Sequence, residues 1–278
     1  MAGAQLGPAA SIGIEKMYDF EFDRPTSIQA AVDSLKTEEA LAFSGGQTLM
    51  PTMKQRLAMP SKVVSLSAIE EMKGVRVEGS ELWIGGATTH ATVMRETAES
   101  YPAISSLAGR IGDPSVRSRG TIGGSVANND PSACYPAGTL ASKGVIVTDR
   151  REIPADEFFQ GMFMTALEEG EIVTAVKMQI PDAAHYAKFI QPASRFPLTA
   201  VFVARYGDGV RVAVTGASES GVFRWTEAEE ALSGNFSAEA VDGLATPDGS
   251  GMISDLHGTG DYRAHLVKVM TKRAVAAC

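Results

Sequence analysis

The chain has 278 residues, 44% of them hydrophobic, with a formal net charge of −8 and a sequence pI of about 5.1. That much apolar sequence supports a buried core and more than one compact unit. The acidic balance and the lack of a basic run speak against a nucleic-acid-binding face, and no apolar stretch approaches the roughly 20 residues of a membrane-spanning helix. Two cysteines, Cys134 and Cys278, far apart in sequence, exclude a disulfide framework and fit a reducing, cytoplasmic setting. They also fall short of the four thiolates that usually hold an iron–sulfur cluster. His90, His185, His257 and His265 show no metal-ligand spacing. Residues 1–16 are Ala/Gly-rich without a basic n-region or a long apolar core, a poor match to a signal peptide, and read as a loose extension.

From Met17 onward the pattern becomes structured. Thr26 or Ser27 can cap a helix in which Ile28, Ala31, Val32 and Leu35 fall at i, i+3, i+4 and i+7. Leu41-Ala42-Phe43 reads as a strand running into the tight turn Ser44-Gly45-Gly46, and Lys62 to Leu66 as a second strand. Residues 74–85 look like a hairpin with Gly79-Ser80 at its turn. Ile104, Leu107, Ala108 and Ile111 mark an amphipathic helix stopped by Gly112-Asp113-Pro114, and residues 113–138 read as loop-rich. Residues 144–148 and 171–180 are strand candidates. After Pro181 the character changes, with a boundary near residues 182–186. Residues 198–206 and 210–215 form a hairpin pattern across Gly207-Asp208-Gly209. Helices follow at 226–232 and 262–275.

Two glycine turns carry the chemistry. In Ser44-Gly45-Gly46-Gln47-Thr48 the glycines permit positive φ, so that successive N–H groups form an anion-binding concavity, with Gln47 and Thr48 adding donors. Thr121-Ile122-Gly123-Gly124-Ser125, followed by Asn128, repeats the design, and two such turns can hold a diphosphate from both sides. Neither is the G-x-G-x-x-G of a Rossmann unit. Taken singly, a Gly-Gly pair is usually just a tight turn. Composition and spacing reach only a phosphate or nucleotide site in an α+β protein.

The octapeptide at 44–51 and the long stretch from Ile111 to Pro131 resemble the FAD-binding medium subunits of molybdenum hydroxylases, the group containing carbon monoxide dehydrogenase medium subunits and the xanthine dehydrogenase flavin domain. Tyr135-Pro136-Ala137, Phe159-Gln160-Gly161-Met162-Phe163, Gly170-Glu171-Ile172-Val173 and the segment from Tyr262 to Val275 match as well, so the resemblance runs from about Met17 to the end. It implies an α+β, PCMH-type FAD-binding domain over 17–183, in two α/β subdomains (about 17–70 and 71–183). A C-terminal domain over 184–278 would follow, with a three-stranded antiparallel sheet and helices. It also implies that Ser44, Gly45, Gly46, Gln47, Thr48 and Leu49 wrap the cofactor together with Thr121, Ile122, Gly123, Gly124, Ser125 and Asn128. Ile111, Val173 and Lys188 would be further contacts, and Phe196 falls where an aromatic residue shields one flavin face in some relatives. Where relatives often carry an aspartate before Tyr-Pro, this chain has Cys134, which either lines the site or is a small buried hydrophobe.

The implied role is electron transfer by non-covalent FAD. A large partner subunit would hold the molybdenum cofactor and a small one the [2Fe–2S] clusters, with an external acceptor taking the electrons. No general acid, base or nucleophile is then required of this chain. The alternatives are a stand-alone FAD-dependent oxidase or dehydrogenase with its own substrate pocket, and a flavin-free assembly module. Arg110, Arg117 and Arg119 read either as pyrophosphate partners or as surface ion pairs, His90 as a helix-start or packing residue, and residues 156–163 as a lid or ordinary core.

Overall fold

The structure is a computed structural model that describes residues 17–278; the expected loose extension, residues 1–16, lies outside the described residues. The first unit comprises β1 (Glu21–Asp23), α1 (Ile28–Leu35), β2 (Ala40–Phe43), α2 (Leu49–Lys54) and β3 (Lys62–Ser65), with the strands parallel in the order β1-β3-β2. Ser27 is the N-cap of α1, its hydroxyl accepting from the Ala30 N–H at 3.2 Å. The helix lays Ala31 and Leu35 onto Val64, Leu66 and Ile69 of a small core. Because β2 and β3 run parallel, the chain must cross back between them, and α2 lies in that crossover. The turn at 44–48 therefore sits at the C-terminal end of a strand.

The second unit is a five-stranded sheet in the order β4-β5-β10-β6-β7. It contains the expected hairpin of β4 (Val75–Glu78) and β5 (Glu81–Gly85). Then come α3 (His90–Glu96), α4 (Pro102–Gly109), α5 (Pro114–Arg117), α6 (Ile122–Asn128) and α7 (Tyr135–Ala141). The chain continues through β6 (Val145–Thr148), β7 (Glu152–Pro154), α8 (Ala155–Phe158), a small hairpin of β8 (Phe159–Gly161) and β9 (Met164–Thr165), and β10 (Val173–Gln179). Leu82, Ile84, Ile146, Val176 and Met178 from the sheet meet Ile104, Leu107, Ile122, Val126 and Tyr135 from the helices in the largest core.

Two sequence expectations change here. The helix of Ile104 ends at Gly109, leaving Ile111 beyond it. The loop-rich stretch is in fact three short helices, α5 to α7. Each has four to seven residues, too few to persist alone, and packing holds them in place. All seven residues of α7 are buried, so it has no polar face to reveal a helical period.

The last sheet is β11 (Ala183–Ile190), β12 (Pro197–Tyr206), β13 (Gly209–Thr215) and β14 (Phe223–Arg224), four strands where the resemblance implied three. Gly207-Asp208 turns the central hairpin, with Tyr206 paired to Gly209. α9 (Thr226–Gly234), α10 (Ala238–Asp242) and α11 (Gly260–Ala276) follow. Along β12 the side chains alternate between two cores. Ala200, Phe202 and Ala204 join the helices of the second unit, whereas Val201 and Val203 pack under α9 and α11 with Ala228, Leu232, Val267 and Met270. Sheet membership changes at Ala183, but the large core is continuous across it.

Candidate functional site

The two glycine segments meet. Ser44 Oγ and Thr121 Oγ1 lie 2.8 Å apart in a hydrogen bond. A Cβ on Gly45 would fall 2.6 Å from Gly120 Cα and nearer still to the Arg119 carbonyl, so only glycine allows the two backbones to touch. Gly46 has φ +67°, a left-handed conformation that glycine takes without strain. From behind, the Gly120 carbonyl accepts from the His90 N–H at 2.9 Å, and Thr89 and Thr121 form an antiparallel bridge.

The expected symmetry of two donor-lined turns does not hold. Among the described residues, no hydrogen bond uses the backbone N–H of Gly45, Gly46, Gln47 or Thr48, so the first segment presents free donors. The second segment is the opening turn of α6 and spends its own. The Ile122 and Gly123 N–H groups donate to Thr88 and Gly86 carbonyls at 3.2 and 2.9 Å. The Gly124 N–H donates to the capping Thr121 Oγ1 at 3.2 Å, and that of Ser125 to the Thr121 carbonyl at 3.0 Å.

Burial along α6 separates the predicted residues by direction. Ile122, Gly123 and Val126 face inward, while Gly124, Ser125 and Asn128 keep exposure on one helical face. A Cβ on Gly123 would sit 2.6 Å from the Gly86 carbonyl oxygen, and a Cβ on Gly86 would in turn run into the Val173 carbonyl. Val173, Gly86 and Gly123 thus form a backing layer, with the Val173 side chain in the core. A Cβ on Gly124 would meet only Thr121 Oγ1 at 3.0 Å and Ser44 Cβ at 3.8 Å. The result is a small, side-chain-free surface of α6 beside the free donors of 45–48, which suits a diphosphate and its flanking groups. Gln47 turns its amide back to the Gly45 carbonyl at 3.1 Å, Thr48 stays exposed, and Leu49, half-buried, opens α2.

A second group assembles at the C-terminal end of α4. The Arg110 carbonyl accepts from Lys188 Nζ at 2.8 Å, those of Ile111 and Gly112 from Arg117 Nη1 at 2.9 and 3.1 Å, and that of Gly112 also from Arg195 Nη1 at 3.4 Å. Arg110 Nη1 donates to the Tyr186 carbonyl at 3.1 Å. Arg110 and Arg117 therefore hold carbonyls rather than forming the surface ion pairs that were one of their two expected roles. Cations at the negative end of a helix dipole are stabilising, which accounts for the convergence. Among the described residues, Arg110, Arg117, Lys188 and Arg195 form no ion pair within 4.0 Å. Cys134 is 5% exposed, with Sγ 3.6 Å from Lys188 Nζ. Burial pushes the Lys188 ammonium down from its usual range, and the neighbouring Arg110 adds to this. Phe196 is exposed on the 191–196 loop that reaches Gly112 through Arg195. Ile111, Cys134, Lys188 and the Phe196 loop are thus brought together, apart from the glycine group and linked to it by α5 and residues 118–120.

His90 opens α3 and is buried against Tyr135, ring centroids 5.3 Å apart. Burial, reinforced by the charge of Arg117, lowers its pKa to about 4, so it is neutral at pH 7. Residues 156–163 divide: Phe158 is core, Asp156 pairs with Arg211 and Arg224 at 2.8 and 3.0 Å, and Met162 and Phe163 are exposed at the β8–β9 tip. Asn129 pins that hairpin. It ends α6 at φ +42°, and its Nδ2 donates to the Gly161 and Met164 carbonyls, both at 2.8 Å. Sequence reasoning passed over Asn129 and Gly86. Signals for both were present, an Asn after a helical run and the Gly85-Gly86 pair ending a strand.

Comparison with known proteins matches this architecture. Residues 18–182 match the family described as the FAD binding domain in molybdopterin dehydrogenase. The chain is 33% identical to the nicotine 6-hydroxylase medium subunit of Paenarthrobacter nicotinovorans, over 94% of this chain and 97% of that protein. It is 32% identical to the carbon monoxide dehydrogenase medium chain of Hydrogenophaga pseudoflava, over 93% and 96%. Among solved structures, reconstituted CO dehydrogenase from Oligotropha carboxidovorans superposes with a TM-score of 0.86 at 30% identity, covering 94% of this chain and 98% of that one. The chain belongs to the FAD-binding subunit family of molybdenum hydroxylases and is an oxidoreductase component whose cofactor is FAD. Among the described residues no group of His, Cys, Asp or Glu is arranged to hold a metal ion, and no helix is long and apolar enough to cross a membrane.

Proposed function

We propose that this chain is the FAD-carrying electron-transfer subunit of a heteromeric, cytoplasmic molybdenum hydroxylase. It receives electrons from the [2Fe–2S] clusters of a small partner subunit and delivers them to an external acceptor. Substrate is oxidised at the molybdenum cofactor of a large partner subunit. The observation that carries this reading is the junction of the free N–H groups of 45–48 with the bare face of α6 at Gly124, Ser125 and Asn128. Residues 17–183 form the FAD-binding domain, and residues 184–278 the C-terminal domain that supplies Lys188 and Phe196.

The bound cofactor's contribution is reversible electron storage; binding and orientation are the protein's share. The pyrophosphate lies against Gly45, Gly46, Gln47 and Thr48 on one side and Gly124 and Ser125 on the other. Thr121 and Ser44 fix the two sides together, and Gly123 and Val173 set the depth of the floor. Ile122 holds its segment from beneath, and Leu49 flanks the first turn at the start of α2. Ile111, Cys134, Lys188 and Phe196 form a second contact region, whose uncompensated positive charge favours electron-rich ligand groups. A covalent flavin needs a His or Cys beside the ring; the first turn offers Gln47 instead, so the cofactor is dissociable.

The test is to denature the purified protein and identify the released chromophore. Free FAD in the supernatant is the expected result. A colourless protein that FAD fails to reconstitute would refute the reading. Turnover of a small substrate by the isolated chain with an artificial acceptor would favour a stand-alone flavoenzyme instead.

A further inference from the structure

The Cys134 thiol is free and buried, and the proposed electron transfer asks no covalent chemistry of it. Cys134 immediately precedes α7, while Lys188 and Tyr186 reach it from β11, across the junction between the two large sheets. Lys188 Nζ is 3.6 Å from Sγ, and both residues are more than nine-tenths buried. The Tyr186 hydroxyl is fully buried, lacks a hydrogen-bond partner of good geometry among the described residues and faces the same thiol. The remaining charged neighbour is Arg110, whose guanidinium is held by the Tyr186 carbonyl. A thiol between an ammonium and a hydroxyl has donors for a developing sulfur anion, and an amine without a carboxylate partner is free to react.

We propose that Cys134 and Lys188 form a peroxide-dependent covalent cross-link, a sulfur–nitrogen bond that ties α7 to β11. In the first step hydrogen peroxide is the oxidant: one of its oxygens bonds to Sγ, giving the sulfenic acid, and the other leaves as water. In the second, Lys188 Nζ gives up its extra proton to solvent and attacks the sulfenic sulfur as the free amine. The S–O bond breaks, the hydroxide departs with an amine proton as a second water, and an S–N bond remains. This is the condensation by which a sulfenic acid forms a sulfenamide with a nearby nitrogen. Sulfur has lost two electrons to peroxide, and a dithiol reductant returns them and restores both side chains. Burial lowers the Lys188 pKa, which raises the share of free amine. The cross-link also removes a buried positive charge from the end of α4.

The experiment uses the full chain carrying Cys278→Ser, so that Cys134 is the single thiol. After hydrogen peroxide treatment, peptide mapping is expected to find the Cys134 and Lys188 peptides joined. Their mass should equal the sum of the two less two hydrogens, and they should part on adding dithiothreitol. With Lys188→Arg the joined peptide is lost and a dimedone adduct accumulates on Cys134. Recovery of Cys134 as a free thiol overturns the proposal, as does a dimedone adduct of equal yield in both proteins. The joined peptide is read in protein that retains Lys188, so an unstable variant does not remove the test. Because the peroxide is added, failure here leaves the FAD assignment untouched, and a flavin-free preparation still allows the cross-link to be measured.

Discussion

Replacing Gly45 with alanine tests the junction on which the site depends. The added Cβ would lie 2.6 Å from Gly120 Cα and closer to the Arg119 carbonyl, and both obstacles are backbone. Carbon atoms normally rest about 3.5–4.0 Å apart, so the segments must separate by about 1 Å. Such overpacking costs about 1–3 kcal/mol. Loss of the 2.8 Å Ser44–Thr121 bond adds about 1 kcal/mol. Since the free donors of 45–48 are aimed by this contact, FAD affinity should fall at least about tenfold, or about 1.4 kcal/mol. Urea denaturation of the apoprotein reads the first effect, and flavin fluorescence titration the second. Gly124→Ala is the control: among the described residues its Cβ meets no backbone outside its own helix within 4 Å, the Thr121 hydroxyl 3.0 Å away has to give only slightly, and alanine in a helix is favoured by about 0.5–1 kcal/mol. Apoprotein stability should hold or rise while FAD affinity drops, because the methyl occupies the bare face. A Gly45→Ala protein with unchanged stability and unchanged FAD affinity would refute the reasoning, and a Gly124→Ala protein that binds FAD normally would refute the facing assigned to α6.

Two further outcomes are expected. Thr121→Val removes both the N-cap of α6 and the partner of Ser44 and should cost about 1 kcal/mol, measured by chemical denaturation of the apoprotein; an unchanged midpoint would deny the cap its role. His90 titrates at 6.5 when unfolded and at about 4 in the native protein. Between these values the unfolded chain binds the extra proton, so its contribution to stability is complete above 6.5 and is lost as pH falls towards 4. The slope is about 1.4 kcal/mol per pH unit at most. Comparing stability from pH 7 to pH 4 in the wild type and in His90→Gln should show a shallower fall in the variant, and equal slopes would contradict a buried neutral imidazole.

Much of the scaffold was legible in the chain because local chemistry is decisive there. Ser27 before an i, i+3, i+4, i+7 apolar run gave α1 with its cap. The Gly207-Asp208 turn gave the β12–β13 hairpin, and Phe43-Ser44-Gly45-Gly46 gave a strand ending in a turn. The stretch from 113 to 138 misled. Glycine, asparagine and proline are poor helix formers, so composition pointed to loop. Yet Asp113-Pro114 is a cap followed by proline at the first helical position, and it starts α5 as well as following α4.

The sequence by itself determined the glycines, the capping residues and the family frame, since these rest on backbone freedom and on hydrogen bonds between near neighbours. Only the tertiary structure decided how each glycine is used. Gly45 admits another backbone, Gly123 admits Gly86, and Gly124 alone presents open surface. It likewise decided that the second glycine pair spends its N–H groups internally while the first keeps them free. It set Lys188 beside Cys134, from strands and helices that are distant in the chain. Those outcomes depend on which backbones approach within a few ångströms, a long-range property that no local pattern encodes.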